Sequence, residues 1–207
     1  MQKLAQSGLA LIIATSLGHG PALAQTAQDW AKCLGQDLSF PDLPIQGCTA
    51  VIQTGRELID RLAAAYNNRG VAYRLKAQYD DAIKDFDEAL RLRPTFANAF
   101  NNRAVAYRNQ GDLDHALEDY NAAIHLKPDY IPAFYNRGLV LMDKGEYDRA
   151  IDDFAVVLRA DPQNALTLFR RGQALLKKGN IKAGSADIKA ARAIKPDIAE
   201  AIARGGG

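Results

Sequence analysis

The 207 residues include 26 Lys and Arg against 24 Asp and Glu, a formal net charge of +2. A chain so balanced lacks the basic excess of a nucleic-acid binder. It also holds no run of about 20 apolar residues able to span a bilayer, so no membrane span is expected.

The first 24 residues differ from the rest. Lys3 gives a positive start, Leu9 to Leu17 an apolar core, and Gly18, Gly20 and Pro21 a break before the small residues Ala22-Leu23-Ala24. This layout predicts a signal peptide cleaved after Ala24 and a periplasmic or secreted protein. Gln25, not a cysteine, stands directly after the cleavage point, so a lipid anchor is not expected there. Residues 25–207 then hold 25 basic and 24 acidic side chains.

Residues 25–62 contain the only two cysteines, Cys33 and Cys48. An oxidising compartment predicts a structural disulfide between them. Closing a loop of about 15 residues is worth roughly 3 kcal/mol in the chain-entropy model. No metal site or cofactor is expected, because no histidine lies near the pair and His115 and His125 have no partner cysteine. Asp29 to Leu34 reads as a short first helix. Ile45 to Ile52, entered through Pro41 and Pro44, has the apolar spacing of a second. Together they predict an N-terminal cap, a degenerate half-repeat covering the first face of the region from residue 63 onward.

That region is periodic. Pro94, Pro128, Pro162 and Pro196 stand 34 residues apart, and a fixed period of that length marks a solenoid of stacked units. Gly70, Ala104, Gly138 and Gly172 recur 24 residues before each proline, with Tyr73, Tyr107, Leu141 and Leu175 three residues later. Ala82, Ala116, Ala150 and Gly184 are followed four residues on by Phe86, Tyr120, Phe154 and Ile188, then by Ala89, Ala123, Val157 and Ala191. Spacings of three and four define one helical stripe, so each unit is predicted to be two amphipathic helices. Gly111, Gly145 and Gly179 mark the turn between them, with Gln78 as the weaker signal in the first unit. Each proline should close the second helix.

The runs AYNNRGVAY, AFNNRAVAY, AFYNRGLVL and LFRRGQALL, each leading to an Ala/Phe-type helix and a proline, resemble the tetratricopeptide repeat (TPR) family. The resemblance covers residues 63–198. It implies an all-α solenoid of four repeats, 63–96, 97–130, 131–164 and 165–198, ending in a short C-terminal cap and tail over 199–207. Ala199 to Arg204 allows barely two turns, so self-association through a thinly covered end is one expectation.

Arginines at one repeat position, Arg69, Arg103, Arg137 and Arg171, each precede an aspartate by 16 residues: Asp85, Asp119, Asp153 and Asp187. This offset predicts structural, bidentate ion pairs between the two helices of each repeat.

In solenoids of helix pairs the first helices line the concave side. Removing the packing positions leaves Asn67, Asn68, Val71 and Arg74; Asn98, Asn101, Asn102, Val105 and Arg108; Tyr135, Asn136, Leu139, Met142 and Asp143; and Phe169, Arg170, Gln173 and Lys177. Asn68, Asn102 and Asn136 are equivalent and should form a ladder able to grip the amides of an extended peptide. Tyr135, Phe169 and Met142 would supply apolar pockets, and Arg74, Arg108, Arg170 and Lys177 would favour an acidic protein or peptide partner. Some family members bind chaperone C-terminal carboxylates through paired lysines and asparagines. Here Asn67 and Pro132 stand where the lysines are expected, which argues against that ligand. No Ser/His/Asp or Cys/His set and no phosphate-binding glycine loop occurs, so no catalytic residue is assigned.

Overall fold

The computed structural model describes residues 20–35, 39–55 and 57–205. Most of the expected signal peptide, residues 1–19, lies outside them, as do the last two glycines.

Eleven helices fill the described residues, and no strand occurs among them. Four pairs form the repeats: α3 (Ile59–Leu75) with α4 (Tyr79–Leu92), α5 (Ala97–Gln110) with α6 (Leu113–Leu126), α7 (Ile131–Asp143) with α8 (Tyr147–Ala160), and α9 (Ala165–Lys177) with α10 (Ile181–Ile194). α1 (Gly20–Cys33) and α2 (Asp42–Thr54) precede them, and α11 (Ile198–Gly205) comes last. The first repeat's opening helix begins at Ile59, four residues ahead of the position inferred from the period.

Each second helix ends two residues short of its proline, with Arg93, Lys127, Asp161 and Lys195 at the C-cap. The proline ring excludes helical geometry from the residue before it, and these caps are accordingly drawn towards extended backbone. Gly111, Gly145 and Gly179 take left-handed φ of 86°, 77° and 85° at the turns. The first repeat departs from the sequence reading. Its equivalent position is Ala77, not Gln78, and Ala77 adopts φ 56°. A side chain there is strained by about 1 kcal/mol. Ala77→Gly is therefore expected to raise stability by about that amount, read as a higher urea midpoint at unchanged slope.

Packing follows the small positions. A Cβ built on Gly138 would lie 2.7 Å from the Phe154 ring, and one on Gly70 equally close to Phe86, so glycine lets the two helices of a repeat approach. Phe86, Tyr120 and Phe154 are fully buried. Curvature comes from the first helices, which touch in series, α3 to α5 to α7 to α9, while the second helices make no comparable contact with one another. The first helices thus line the shorter, concave side.

The N-terminal segment is a helix pair in its own right. Gly47 of α2 sits against the α1 backbone, where a Cβ would meet the Asp29 carbonyl and the Cys33 amide at 2.6 Å. The Cys33–Cys48 disulfide joins the two helices at this contact. Trp30 Nε1 donates to Glu57 at 2.6 Å, and Arg61 lies over the Trp30 ring, docking α1 towards α3. At the other end, Ile198 and Ile202 of α11 pack on Leu168 and Phe169, so the short helix covers the last repeat.

Candidate functional site

The repeated arginines are structural. Arg69, Arg103, Arg137 and Arg171 each donate from Nε and Nη2 to both carboxylate oxygens of Asp85, Asp119, Asp153 and Asp187, at 2.7–3.0 Å. Asp85, Asp119 and Asp153 side chains are only 6–7% exposed, Asp187 14%. Burial pushes the Asp85 and Asp119 carboxyls up, against the guanidiniums that favour their ionised form. A second role is not visible in the sequence. Nη1 of the same arginine reaches back to the preceding unit: Arg69 to Thr49 at 3.0 Å, Arg103 to Asp87 at 2.6 Å, Arg137 to Asn121 at 2.7 Å. One guanidinium therefore ties three helices. Ala155 stands in the corresponding place before Arg171, where a cavity of about 280 Å³ opens instead.

A second stitch runs along the turns. Lys144 pairs with Asp114 and Lys178 with Asp148, while Gln110 donates to Asp80 at 2.6 Å. Lys76 makes the matching contact with Asp42 at 2.6 Å, so α2 docks on the first repeat through the same device. Acids of the second helices are thereby drawn into inter-repeat contacts.

On the concave side, the asparagines join through two adjacent helical positions rather than one. Asn136 Nδ2 donates to Asn101 at 3.1 Å, Asn101 to Asn102 at 3.4 Å, Asn102 to Asn67 at 3.0 Å, and Asn67 to Asn68 at 3.2 Å. Asn68, Asn102 and Asn136 do not bond one another directly. They lie a full repeat apart, and Asn67 and Asn101, 8% and 6% exposed, bridge them. These two are therefore embedded groups that carry the row. The row stops where Tyr135 and Phe169 replace asparagine in the bridging position.

Phe169 does not offer a groove pocket. It is 7% exposed and packs with Leu158, Leu168, Ala191 and Ile198, because α11 lies on it. Leu139 is likewise core, at 4% exposure. Tyr135 is part-buried and tilts against Phe154 with ring centres 5.9 Å apart.

Cavities flank the asparagine row. Near Asn68, one of about 230 Å³ is walled by Cys33, Leu34, Pro41, Pro44, Val71 and Leu75. This apolar hollow between the disulfide-linked pair and α3 is not legible in the repeat pattern, since α1 and α2 fall outside it. Beyond Asn136, one of about 540 Å³ is lined by Met142, Asp143, Tyr147, Arg170, Gln173 and Lys177. Between them stand Arg74 and Arg108, the latter 3.1 Å from Asp143. Among the described residues no group of His, Cys, Asp and Glu is arranged to hold a metal ion.

Stacked helix pairs with an inner wall of amides and arginines make this an α-solenoid. Models of the tetratricopeptide repeat match residues 63–96, 86–118, 105–145 and 134–201, and the chain belongs to this family. No curated protein matches the sequence. Among solved structures, the MamA protein is similar over 85% of this chain and 94% of its own, at 21% identity and a TM-score of 0.69. YrrB, described as a TPR protein with an unusual peptide-binding site, covers 90% of this chain and 88% of its own, at 22% identity and TM-score 0.61. The first TPR of Spaghetti (RPAP3), bound to the HSP90 peptide SRMEEVD, covers 58% of this chain and 93% of its own, at 26% identity and TM-score 0.53.

Proposed function

We propose that this protein is a non-enzymatic, exported interaction module that holds an extended peptide or partner loop along its concave side. The observation that carries the reading is the asparagine row, whose part-exposed members Asn68, Asn102 and Asn136 are held by the buried Asn67 and Asn101, with a cavity at either end. Amides offer donors and acceptors matched to a backbone, and cavities receive the side chains that alternate along it. Likeness to solved TPR proteins described with peptides points the same way. The export part rests on the layout of residues 1–24. Asp29, Trp30 and Cys33, which tie α1 into the fold, all lie after the expected cleavage point.

Site-specific photocrosslinking tests both parts. Protein is recovered from the cell envelope, where its mass should begin at Gln25. Benzophenone is placed at Asn98 or Lys177 on the first helices, or at Lys84, an exposed residue of α4. Dodecapeptides selected from a phage-displayed library are expected to label from Asn98 and Lys177 and not from Lys84. Equal labelling from Lys84 would remove the groove, and an intact chain starting at Met1 would remove export.

A further inference from the structure

The hollow beside Asn68 is built from two unlike parts of the chain. Its inner wall is α3, from Asn68 to Leu75. Every other described residue lining it lies between Cys33 and Pro44, inside the loop that the Cys33–Cys48 disulfide closes. Three contacts hold that outer wall in place. The disulfide fixes the end of α1 to the middle of α2. Gly35 lies so near Pro44 that a Cβ on it would sit 2.7 Å from the proline ring. Lys76, next to Leu75, pairs with Asp42 at 2.6 Å and so spans the two walls. The hollow is therefore formed before any ligand arrives, as binding sites commonly are.

Its chemistry is apolar. No described residue lining it carries a charge, and Asn68 supplies its one side-chain amide. Leu34 and Leu75 remain 62% and 40% exposed, so packing within the chain leaves apolar wall in contact with solvent. The volume is about 230 Å³. An apolar cavity of about 150 Å³ already admits a benzene ring, so one branched aliphatic or aromatic side chain fits. The cavity at the far end of the row is unlike it, with Asp143, Arg170 and Lys177 in its lining. Continuity with the row decides the occupant. Asn68 accepts from Asn67 at 3.2 Å as the last member of the row, and the same residue lines the hollow. A backbone that follows the amides reaches the hollow there.

We infer that this hollow takes one large apolar side chain, aliphatic or aromatic, of a peptide held in the groove, and that the disulfide secures the pocket's outer wall. The inference rests on the groove reading. It goes beyond that reading by fixing the kind of residue taken at the Asn68 end and by giving the disulfide a part in binding.

The probe is the set of dodecapeptides selected from the phage-displayed library on the wild-type protein. They are expected to share one large apolar position, and synthetic versions with Ala there should bind about tenfold more weakly. A diazirine analogue of leucine at that position should insert into wall residues such as Leu34, Val71 or Leu75 and not into α9. Leu34→Asp and Leu75→Lys change exposed residues, so both variants should melt close to wild type yet bind the peptides about tenfold more weakly. The introduced charges have opposite signs, so a shared loss reports on the apolar wall and not on attraction or repulsion. Cys33→Ala/Cys48→Ala should weaken binding by the same factor, while benzophenone at Lys177 still labels the peptide. Peptides that crosslink from Asn98 or Lys177 but share no apolar position would overturn the pocket and leave the groove standing. So would unchanged affinity in the leucine variants or in the cysteine variant. Dimerisation of the wild type that Leu34→Asp abolishes, with peptide affinity unchanged, would assign the hollow to a second copy and overturn the inference in the same way. Failure of any peptide to crosslink from Asn98 or Lys177 would overturn both readings.

Discussion

Phe154→Ala is expected to cost about 3–5 kcal/mol, the range for emptying a buried aromatic site. Phe154 is fully buried against Gly138 in the third repeat. No side chain at Gly138 can relax into the space, because glycine has none. Repeat proteins are held by nearest-neighbour interfaces, so weakening an interior unit uncouples those on either side. Urea unfolding should therefore split into two transitions, with α9 to α11 losing hydrogen-exchange protection first. Tyr135 rests on the Phe154 ring, so the variant should also disturb the wall near Arg170. A single, unshifted transition would show that Phe154 is not the keystone of its repeat.

Asp119→Ala is expected to cost about 2–3 kcal/mol. Breaking a buried ion pair costs about 3–5 kcal/mol, and the figure is lowered because the Arg103 side chain is 20% exposed and keeps Asp87. A double-mutant cycle with Arg103→Ala should give a coupling energy above about 1 kcal/mol, beyond that of an exposed pair. Repeating the cycle with Asp87→Ala separates the two contacts: Asp87 is half-exposed, and its coupling should fall in added salt while that of Asp119 persists. Additive costs for Arg103 and Asp119 would reduce the bidentate contact to two independently solvated groups.

Much of this architecture is legible from register. The 34-residue recurrence of proline locates the ends of α4, α6, α8 and α10, because proline's effect on the preceding residue is local and does not depend on tertiary context. The 16-residue offset between Arg103 and Asp119 works for a similar reason: within one helix pair, sequence distance fixes spatial distance. Register is silent where the cause lies between units. Arg103 also lies 16 residues after Asp87, yet only the stacked structure shows that this acid belongs to the adjacent repeat's face. Asn67 and Asn101 read as solvent-facing groove groups in the sequence, but the next repeat closes over them. Phe169 occupies the same place as Asn101 but is covered by α11, an element outside the period. Ala77 escapes a search for glycine at the left-handed turn, because the fold imposes that backbone there without it.

The asparagine row has a direction. Every amide in it donates the same way, from Asn136 through Asn101, Asn102 and Asn67 to Asn68. Turning Asn101, Asn102 or Asn67 over by itself would set amine against amine on one side and oxygen against oxygen on the other, and turning either end residue would make one such mismatch, so the five switch together or not at all. The row thus has a head and a tail of unlike chemistry, an oxygen at Asn136 and an amine at Asn68. A strand laid along it in one sense does not meet the same surface as a strand laid in the other.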